Sequence, residues 1–279
     1  MSLSKLLKAH EETGEAVSLI SLINNYLSDY SLNPAKYKSY TFTFPDTTDH
    51  WNDGKIHPSS IHGCPRYLVY KILKETGKKK IVPQLQRIFD NGTMVHHRIQ
   101  SYLRNMGILS KKFGGREVPG LEVQLKKLDK AKEFNIAGSI DAMIKLAKRF
   151  VVEIKSMSPN QFYALTKPKL EHLWQGNTYM MTTEVPRCIF LYEAKDNQAM
   201  KEFIIKPDDN IVYDIQNKCK RCTEWAEAKV IPKRHKDIEN AKVYGGKSYC
   251  RQCEMYDVCY NSNKYREVKD NANVKFVIG

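Results

Sequence analysis

The chain has 279 residues, 42% of them hydrophobic, and sets 45 Lys and Arg against 31 Asp and Glu for a net charge of +14. That length supplies a full core for one large domain or two intimate ones, and no run approaches the ~18 apolar residues of a membrane span. A chain this basic attracts polyanions through counterion release, so nucleic acid is the expected partner, anionic membrane the lesser one and a solubilising surface the bland reading of any one cluster. The clusters are Lys78–Lys80, Lys111–Lys112, Lys126–Lys127, Lys148–Arg149, Lys218–Arg221 and Lys233–Lys236. Glu11, Glu12 and Glu15 precede the apolar stretch Ala16–Ile23, where a secretory signal wants positive charge and a transit peptide avoids acids. The expectation is a cytoplasmic protein with no membrane partner. Seven cysteines, an odd number without a secretion signal, point to reduced thiols or metal ligands rather than disulfides.

The pattern predicts a helix over 16–30, an aperiodic stretch over 31–58, and a helix capped by Ser59 or Ser60 that runs through Pro65 to Leu73. A second helix is expected over Pro83–Asn105, ending before Gly107. Strands follow at about 108–113, 117–127, 134–146 and 150–156, the last two joined by a turn at Ala147–Arg149. Helix returns from Pro159 to Glu184 with a break near Pro168. Strands 188–194 and 201–206 flank a turn at Asp196–Asn197, and a helix over 210–229 precedes a loop-rich, cysteine-bearing end. This order suits an α/β fold, a mixed central sheet flanked by helices.

The chemistry concentrates in Ala137–Ser156, AGSIDAMIKLAKRFVVEIKS. Ile140, Ala142 and Ile144 alternate with Ser139, Asp141 and Met143, which turns Asp141 away from the core side. In the next strand Val152 and Ile154 share one face, Glu153 and Lys155 the other. A hairpin brings Asp141, Glu153 and Lys155 to one surface, where carboxylate oxygens suit Mg²⁺ or Mn²⁺ and the lysine holds a water or an anionic transition state. The plain alternative is a surface hairpin with an ion pair.

G-x-I-D followed by E-I-K resembles the core of the RecB-like branch of the PD-(D/E)XK nucleases. That branch also shows G-x-x-x-H upstream and Q-x-x-x-Y downstream, matched by Gly92-Thr-Met-Val-His96 and Gln175-Gly-Asn-Thr-Tyr179. All four stand in the family's order, and the similarity spans about residues 56 to 260. Ile140 stands where the superfamily name has proline, as is common in this branch. The resemblance implies a restriction-endonuclease-like core and metal-dependent in-line hydrolysis of a phosphodiester, with His96, Asp141, Glu153 and the Ile154 carbonyl as metal ligands. Lys155 would position water or neutralise charge, and Gln175 and Tyr179 would orient the metal site and the DNA strand. Gly92, His96 and Gln100 are spaced to track one helix face, drifting ~40° per step, and Gly92 would allow close backbone approach.

Cys250-Arg-Gln-Cys253 followed by Cys259 is a C-x2-C-x5-C run. Its fourth ligand is either Cys64 or part of Cys219-x2-Cys222, the latter giving a zinc-ribbon-like arrangement. One cysteine before the nuclease motifs and three after them resembles the AddB subunits of bacterial recombination nucleases and the CRISPR-adaptation exonucleases. That resemblance implies a [4Fe–4S] cluster on Cys64, Cys250, Cys253 and Cys259, tying a helical region built from both chain ends. Cys188 reads as a small core hydrophobe, Arg66 as a phosphate contact or a surface arginine. Trp174 reads as core before base stacking, while Trp51, Phe162 and Tyr163 are candidates for stacking.

The expected organisation is an N-terminal helical region over 1–82 with one cluster cysteine, a nuclease core over 83–209, and a C-terminal helix and three-cysteine region over 210–279 packed back on the first. The expected activity is that of a DNA exonuclease on single-stranded or frayed ends in replication, recombination or repair. Any helicase or recombination partner would be a separate chain, since no Walker-type run is present. The alternatives are a structure-specific endonuclease on the same fold, a non-catalytic DNA-binding subunit and a zinc-ribbon interaction protein.

Overall fold

The computed structural model describes residues 18–37, 53–77, 82–113, 116–234, 250, 253–261 and 263–268. Residues 16–17, Trp51, Lys78–Lys80 and His235–Lys236 among the sequence expectations lie outside them. In chain order the helices are α1 (Leu19–Leu32), α2 (Pro65–Ile72), α3 (Pro83–Asn105), α4 (Asp129–Glu133), α5 (Pro159–Ala164), α6 (Leu170–Thr183), α7 (Asp209–Glu227) and α8 (Tyr256–Asn261). The strands are β1 (Lys112–Phe113), β2 (Arg116–Glu117), β3 (Leu121–Gln124), β4 (Ser139–Lys145), β5 (Arg149–Met157), β6 (Cys188–Ala194), β7 (Met200–Ile205), β8 (Val230–Ile231) and β9 (Arg266–Glu267). No helix among the described residues is long and apolar enough to cross a membrane.

Strands β3 to β7 form one mixed sheet in sequence order, parallel only between β5 and β6. The crossover between that parallel pair is α5 and α6, as a parallel connection needs more than a hairpin turn. Each face of the sheet is covered. Leu19, Leu22 and Ile23 of α1 and Val95, Ile99 and Leu103 of α3 pack on Ala142, Ile144, Val152, Ile154 and Leu191. On the other face, α2, α6 and α7 pack Val69, Trp174, Met180 and Ile215 onto Val151, Phe190 and Tyr192. β6 is consequently buried along its whole length. α1 is anchored by charge: Leu19 and Ile20 donate their N–H groups to Glu202 Oε2 of β7 at 2.8 and 3.2 Å, a carboxylate at the positive end of a helix.

Several boundaries move from the sequence reading. α3 and the break between α5 and α6 fall where they were expected. The helix foreseen from Ser59 or Ser60 instead starts at Pro65, with Cys64 as its N-cap, because residues 58–63 are taken up by turns. The expected strands at 108–111, 125–127 and 134–138 give way to a short bridge at Leu109, a 3-10 turn over Leu125–Lys127, and the turn after α4 with an isolated bridge from Ile136 to Ile56. The alternation along β4 also breaks: Ile140 packs with Val123 on the α6 side, while Ala142 and Ile144 pack on the α3 side. Between them Glu122 takes a left-handed φ of 46° opposite Asp141, so the β3–β4 pair turns over at that point. Lys218, counted among the basic clusters, is 1% exposed and donates to the carbonyls of His62 and Gly63 at 3.0 and 2.6 Å. Arg66 is buried too, bound to the Pro232 carbonyl at 2.8 Å and to Glu267 at 2.5 Å. Neither is available to a phosphate. Phe162 and Trp174 are core residues, whereas Tyr163 is 56% exposed.

α6 lies against β6 at the closest approach that a glycine permits. A Cβ on Gly176 would sit 2.6 Å from Phe190 Cζ and 3.3 Å from Cys188 Sγ, and both of those side chains are fully buried. Gly176→Ala should therefore destabilise the fold by about 1–3 kcal/mol, since overpacking outweighs the ~1 kcal/mol of helix propensity gained. A urea midpoint lowered in Gly176→Ala and recovered with Phe190→Leu added would show it; an unchanged midpoint would count against this packing.

Candidate active site

β4 and β5 are paired from Lys145–Arg149 down to Ala142–Val152, and there the ladder stops. The next backbone donor of β5 in that direction, Ile154 N–H, goes instead to Asp141 Oδ2 at 2.7 Å. A side chain thus replaces a ladder bond and holds the two strands apart. Within a strand the N–H and C=O of one residue point toward the same neighbour, so the Ile154 carbonyl also opens into this gap. His96 of α3 closes it from one side, its Nδ1 3.2 Å from Asp141 Oδ1.

Glu153 enters from the α6 face and is 2% exposed. Its Oε1 accepts from Lys155 Nζ and from Gln175 Nε2, both at 2.6 Å. The second amide hydrogen of Gln175 goes to the Tyr179 hydroxyl at 2.8 Å, which donates to the Ser139 carbonyl at 3.1 Å. Gln175 and Tyr179 share a helix face at i, i+4, and together they fix Glu153 with respect to β4. The Glu153 Oε2 is buried and meets no hydrogen-bond partner among the described residues.

Burial, and then the like charge of Asp141, push the Glu153 carboxyl up to about 7. Burial also opposes the Asp141 anion, but His96, Lys155 and the Ile154 N–H outweigh it and hold that carboxyl below its usual range. For His96 the same contest runs the other way: burial disfavours the imidazolium, and the Asp141 carboxylate prevails and raises it. Lys155 stays cationic against burial because Glu153 and Asp141 face it. Two neighbouring carboxyls are thus driven apart in acidity by their surroundings, as is common at functional sites.

The structure brings together Asp141, Glu153, Lys155, Gln175, Tyr179, His96 and the Ile154 backbone. Among the described residues no three His, Cys, Asp or Glu side chains are drawn into a ready set of metal ligands. The donor chemistry nonetheless suits a hard divalent cation: Asp141, Glu153 and His96 lie near enough to shift one another's charge, and the unpartnered Glu153 Oε2 is the kind of atom a cation satisfies. Close backbone approach at Gly92 is not required. A Cβ there would meet only Ser156 Oγ at an ordinary 3.6 Å, so alanine is accommodated. The sequence reading missed the supports behind Asp141. Gln100, 4% exposed, donates to the Asp141 carbonyl at 3.0 Å and to Glu122 Oε1 at 2.6 Å. Ser139 donates to Glu122 Oε2, also at 2.6 Å. The i, i+4 spacing of Gln100 from His96 was a signal for the first; nothing in the sequence marks Glu122.

The cysteines divide into two groups. Cys64, Cys250, Cys253 and Cys259 line one cavity with Tyr67 and Met255, and none of the four is in a disulfide. The N–H groups of Tyr67 and Arg66 favour the Cys64 thiolate, but burial is stronger and raises that thiol; burial likewise pushes Cys253 up to about 12. Cys219 and Cys222 are fully buried on α7 among apolar neighbours, and Cys188 starts β6 in the core.

If the gap holds a divalent cation, Mn²⁺ should raise the melting temperature of the wild-type chain and leave Glu153→Gln and Asp141→Asn unmoved. Mass action sets the scale at about 2.7 kcal/mol when the ion is at a hundred times its Kd. Equal shifts in all three proteins, followed by differential scanning calorimetry, would place the ion elsewhere.

No family model matches the chain, and no curated protein matches it. Among solved structures it is similar to an alkaline exonuclease from Laribacter hongkongensis at 20% identity, covering 63% of this chain and 90% of that one with a TM-score of 0.44. The same exonuclease in complex with dAMP gives 20% identity, 65% and 93% coverage and a TM-score of 0.45. The protein SSO0001 is similar over 88% of this chain and 97% of its own, at 16% identity and a TM-score of 0.42.

Proposed function

We propose that the chain is a metal-dependent deoxyribonuclease that hydrolyses phosphodiester bonds at DNA ends, on single-stranded or frayed substrates. The observation that carries this reading is the buried gap where β4 and β5 part, with Glu153 Oε2 unpartnered beside Asp141, His96 and Lys155. A buried carboxylate oxygen without a partner costs free energy, and at this gap, with a second carboxylate and an imidazole beside it, a bound cation would offset that cost.

Asp141, Glu153, His96 and the Ile154 carbonyl would hold one or two Mg²⁺ or Mn²⁺ ions. A bound ion supplies polarisation of the scissile phosphate and a water of lowered pKa. Lys155, held at 2.6 Å from Glu153, places a fixed positive charge where the attacked phosphate gains negative charge. Gln175 and Tyr179 act one step back: tethered to the Ser139 carbonyl, they keep Glu153 from following the substrate. The positive balance of the chain favours a polyanionic substrate.

We further propose a [4Fe–4S] cluster on Cys64, Cys250, Cys253 and Cys259. That these four cysteines, from both ends of the sequence, line a single cavity supports it, and the burial of Cys219 and Cys222 in the α7 core speaks against the zinc-ribbon pairing. Such a cluster would add its binding energy to folding. A helicase or recombination partner would be a separate chain.

The test is an anaerobic purification with iron, sulfide and zinc quantified, followed by incubation with end-labelled linear and with circular single-stranded DNA. We expect brown protein with about four irons per chain, loss of linear but not circular DNA only with Mg²⁺ or Mn²⁺, and a fall of roughly a thousandfold or more in Glu153→Ala. Cleavage of the circle would make it an endonuclease. Zinc without iron would overturn the cluster, and no cleavage under either metal would leave a basic DNA-binding module.

A further inference from the structure

His172 lies one helical turn before Gln175 on α6 and has no part in the machinery described so far. Its ring sits over β6, with centroids 5.6 Å from Tyr192 and 6.3 Å from Phe190. In the β5–β6 register Tyr192 is the partner of Lys155 and Phe190 the partner of Glu153. His172 therefore flanks the two β5 residues of the gap from the β6 side, partly open to solvent while Tyr192 beneath it is fully buried.

A hydrogen bond to Tyr192 orients the ring. With its hydroxyl as donor, Tyr192 gives its proton to His172 Nδ1, 2.8 Å away. Nδ1 is then an acceptor, and the neutral ring carries its hydrogen on Nε2. Burial, Lys155, Lys169 and His62 all disfavour the imidazolium and push the group down to about 3. What results is a neutral N–H donor beside Lys155 and Lys169, whose charges Glu153 and Glu171 partly balance.

We propose that His172 binds DNA phosphate, donating Nε2–H to a nonbridging oxygen of the phosphodiester next to the one that is cut. This deepens the nuclease reading and rests on it. The residue positions the strand by contact, and its neutrality lets it hold the product end without retaining it by charge.

The experiment measures binding and cleavage of a single-stranded oligonucleotide by the full chain, with each phosphate in turn replaced by a methylphosphonate. Binding is read by fluorescence anisotropy with Ca²⁺, cleavage with Mg²⁺ or Mn²⁺. One hydrogen bond to a charged group predicts a loss of roughly tenfold to a hundredfold in wild-type affinity at one phosphate position. His172→Asn, whose amide reaches only the Nδ1 position, should lose that affinity at the outset and show no further loss at the same phosphate. His172→Gln, with an amide at the Nε2 position, should recover part of both. We expect KM to rise and kcat to stay within about twofold in His172→Asn, with its melting temperature close to that of wild type. Equal methylphosphonate losses in wild type and His172→Asn at every position would overturn the assignment. Wild type that binds but cuts nothing would overturn the nuclease reading, while the phosphate coupling, read from binding alone, would still decide His172.

Discussion

The interaction on which the rest of the structure depends is the bond from Ile154 N–H to Asp141 Oδ2. A sheet normally closes every backbone donor on its neighbour, and here a carboxylate interrupts that closure in the middle of the fold. The interruption makes room without leaving a backbone donor stranded. It also sets the two strands at a separation where Glu153 reaches the gap from the other face. The overturned β3–β4 pair follows from the same demand. Glu122 accepts a left-handed backbone, at a cost of order 1 kcal/mol, and its carboxylate then ties α3 to β4 through Gln100 and Ser139.

The charge inside is managed by layers of neutral amides and hydroxyls rather than by counterions alone. Gln175 and Tyr179 carry the support of Glu153 outward to a backbone carbonyl, so the ion pair with Lys155 is not left to define the geometry by itself. Thr178, Thr182 and Thr183 of α6 turn their hydroxyls back onto carbonyls one turn earlier, which lets a helix with a fully buried C-terminal half carry polar residues. Glu193 shows the same kind of tension on the opposite face. It is 1% exposed, paired with Arg98 at 2.5 Å, and its Oε2 meets no partner among the described residues.

Much of this was legible beforehand, for reasons that differ by residue. α3 and the β4–β5 hairpin declare themselves through proline, glycine and β-branched runs, which act locally. Glu153 and Lys155 were placed on one face correctly because β5 keeps strict alternation. Asp141 was argued from an alternation that β4 does not keep, and it reached the site through a backbone bond that no periodicity encodes. Lys218 and Arg66 misled because a charge count assumes a solvated head group. Both instead spend their donors on carbonyls of distant loops, and a cation so placed is invisible in composition. Gly92 and Gly176 invert the usual inference: the glycine within the familiar motif has room for a methyl group, and the one beside Gln175 has none.

The contacts that seat α2 come from far along the chain. Arg66 is held by Pro232, the Cys259 carbonyl and Glu267, the last a separation of 201 residues, and the Tyr67 hydroxyl donates to Glu254 across 187. During synthesis at roughly 5–20 residues per second, these partners emerge from the ribosome some ten seconds or more after α2 does. Over that interval the guanidinium, which ends with 4% of its side chain exposed, lacks the acceptors that its two terminal nitrogens meet in the fold. The first turn of α2 thus gains its full set of partners only once the segment through Glu267 has been made, and a chain that stops short of that residue leaves the buried guanidinium without its counter-charge.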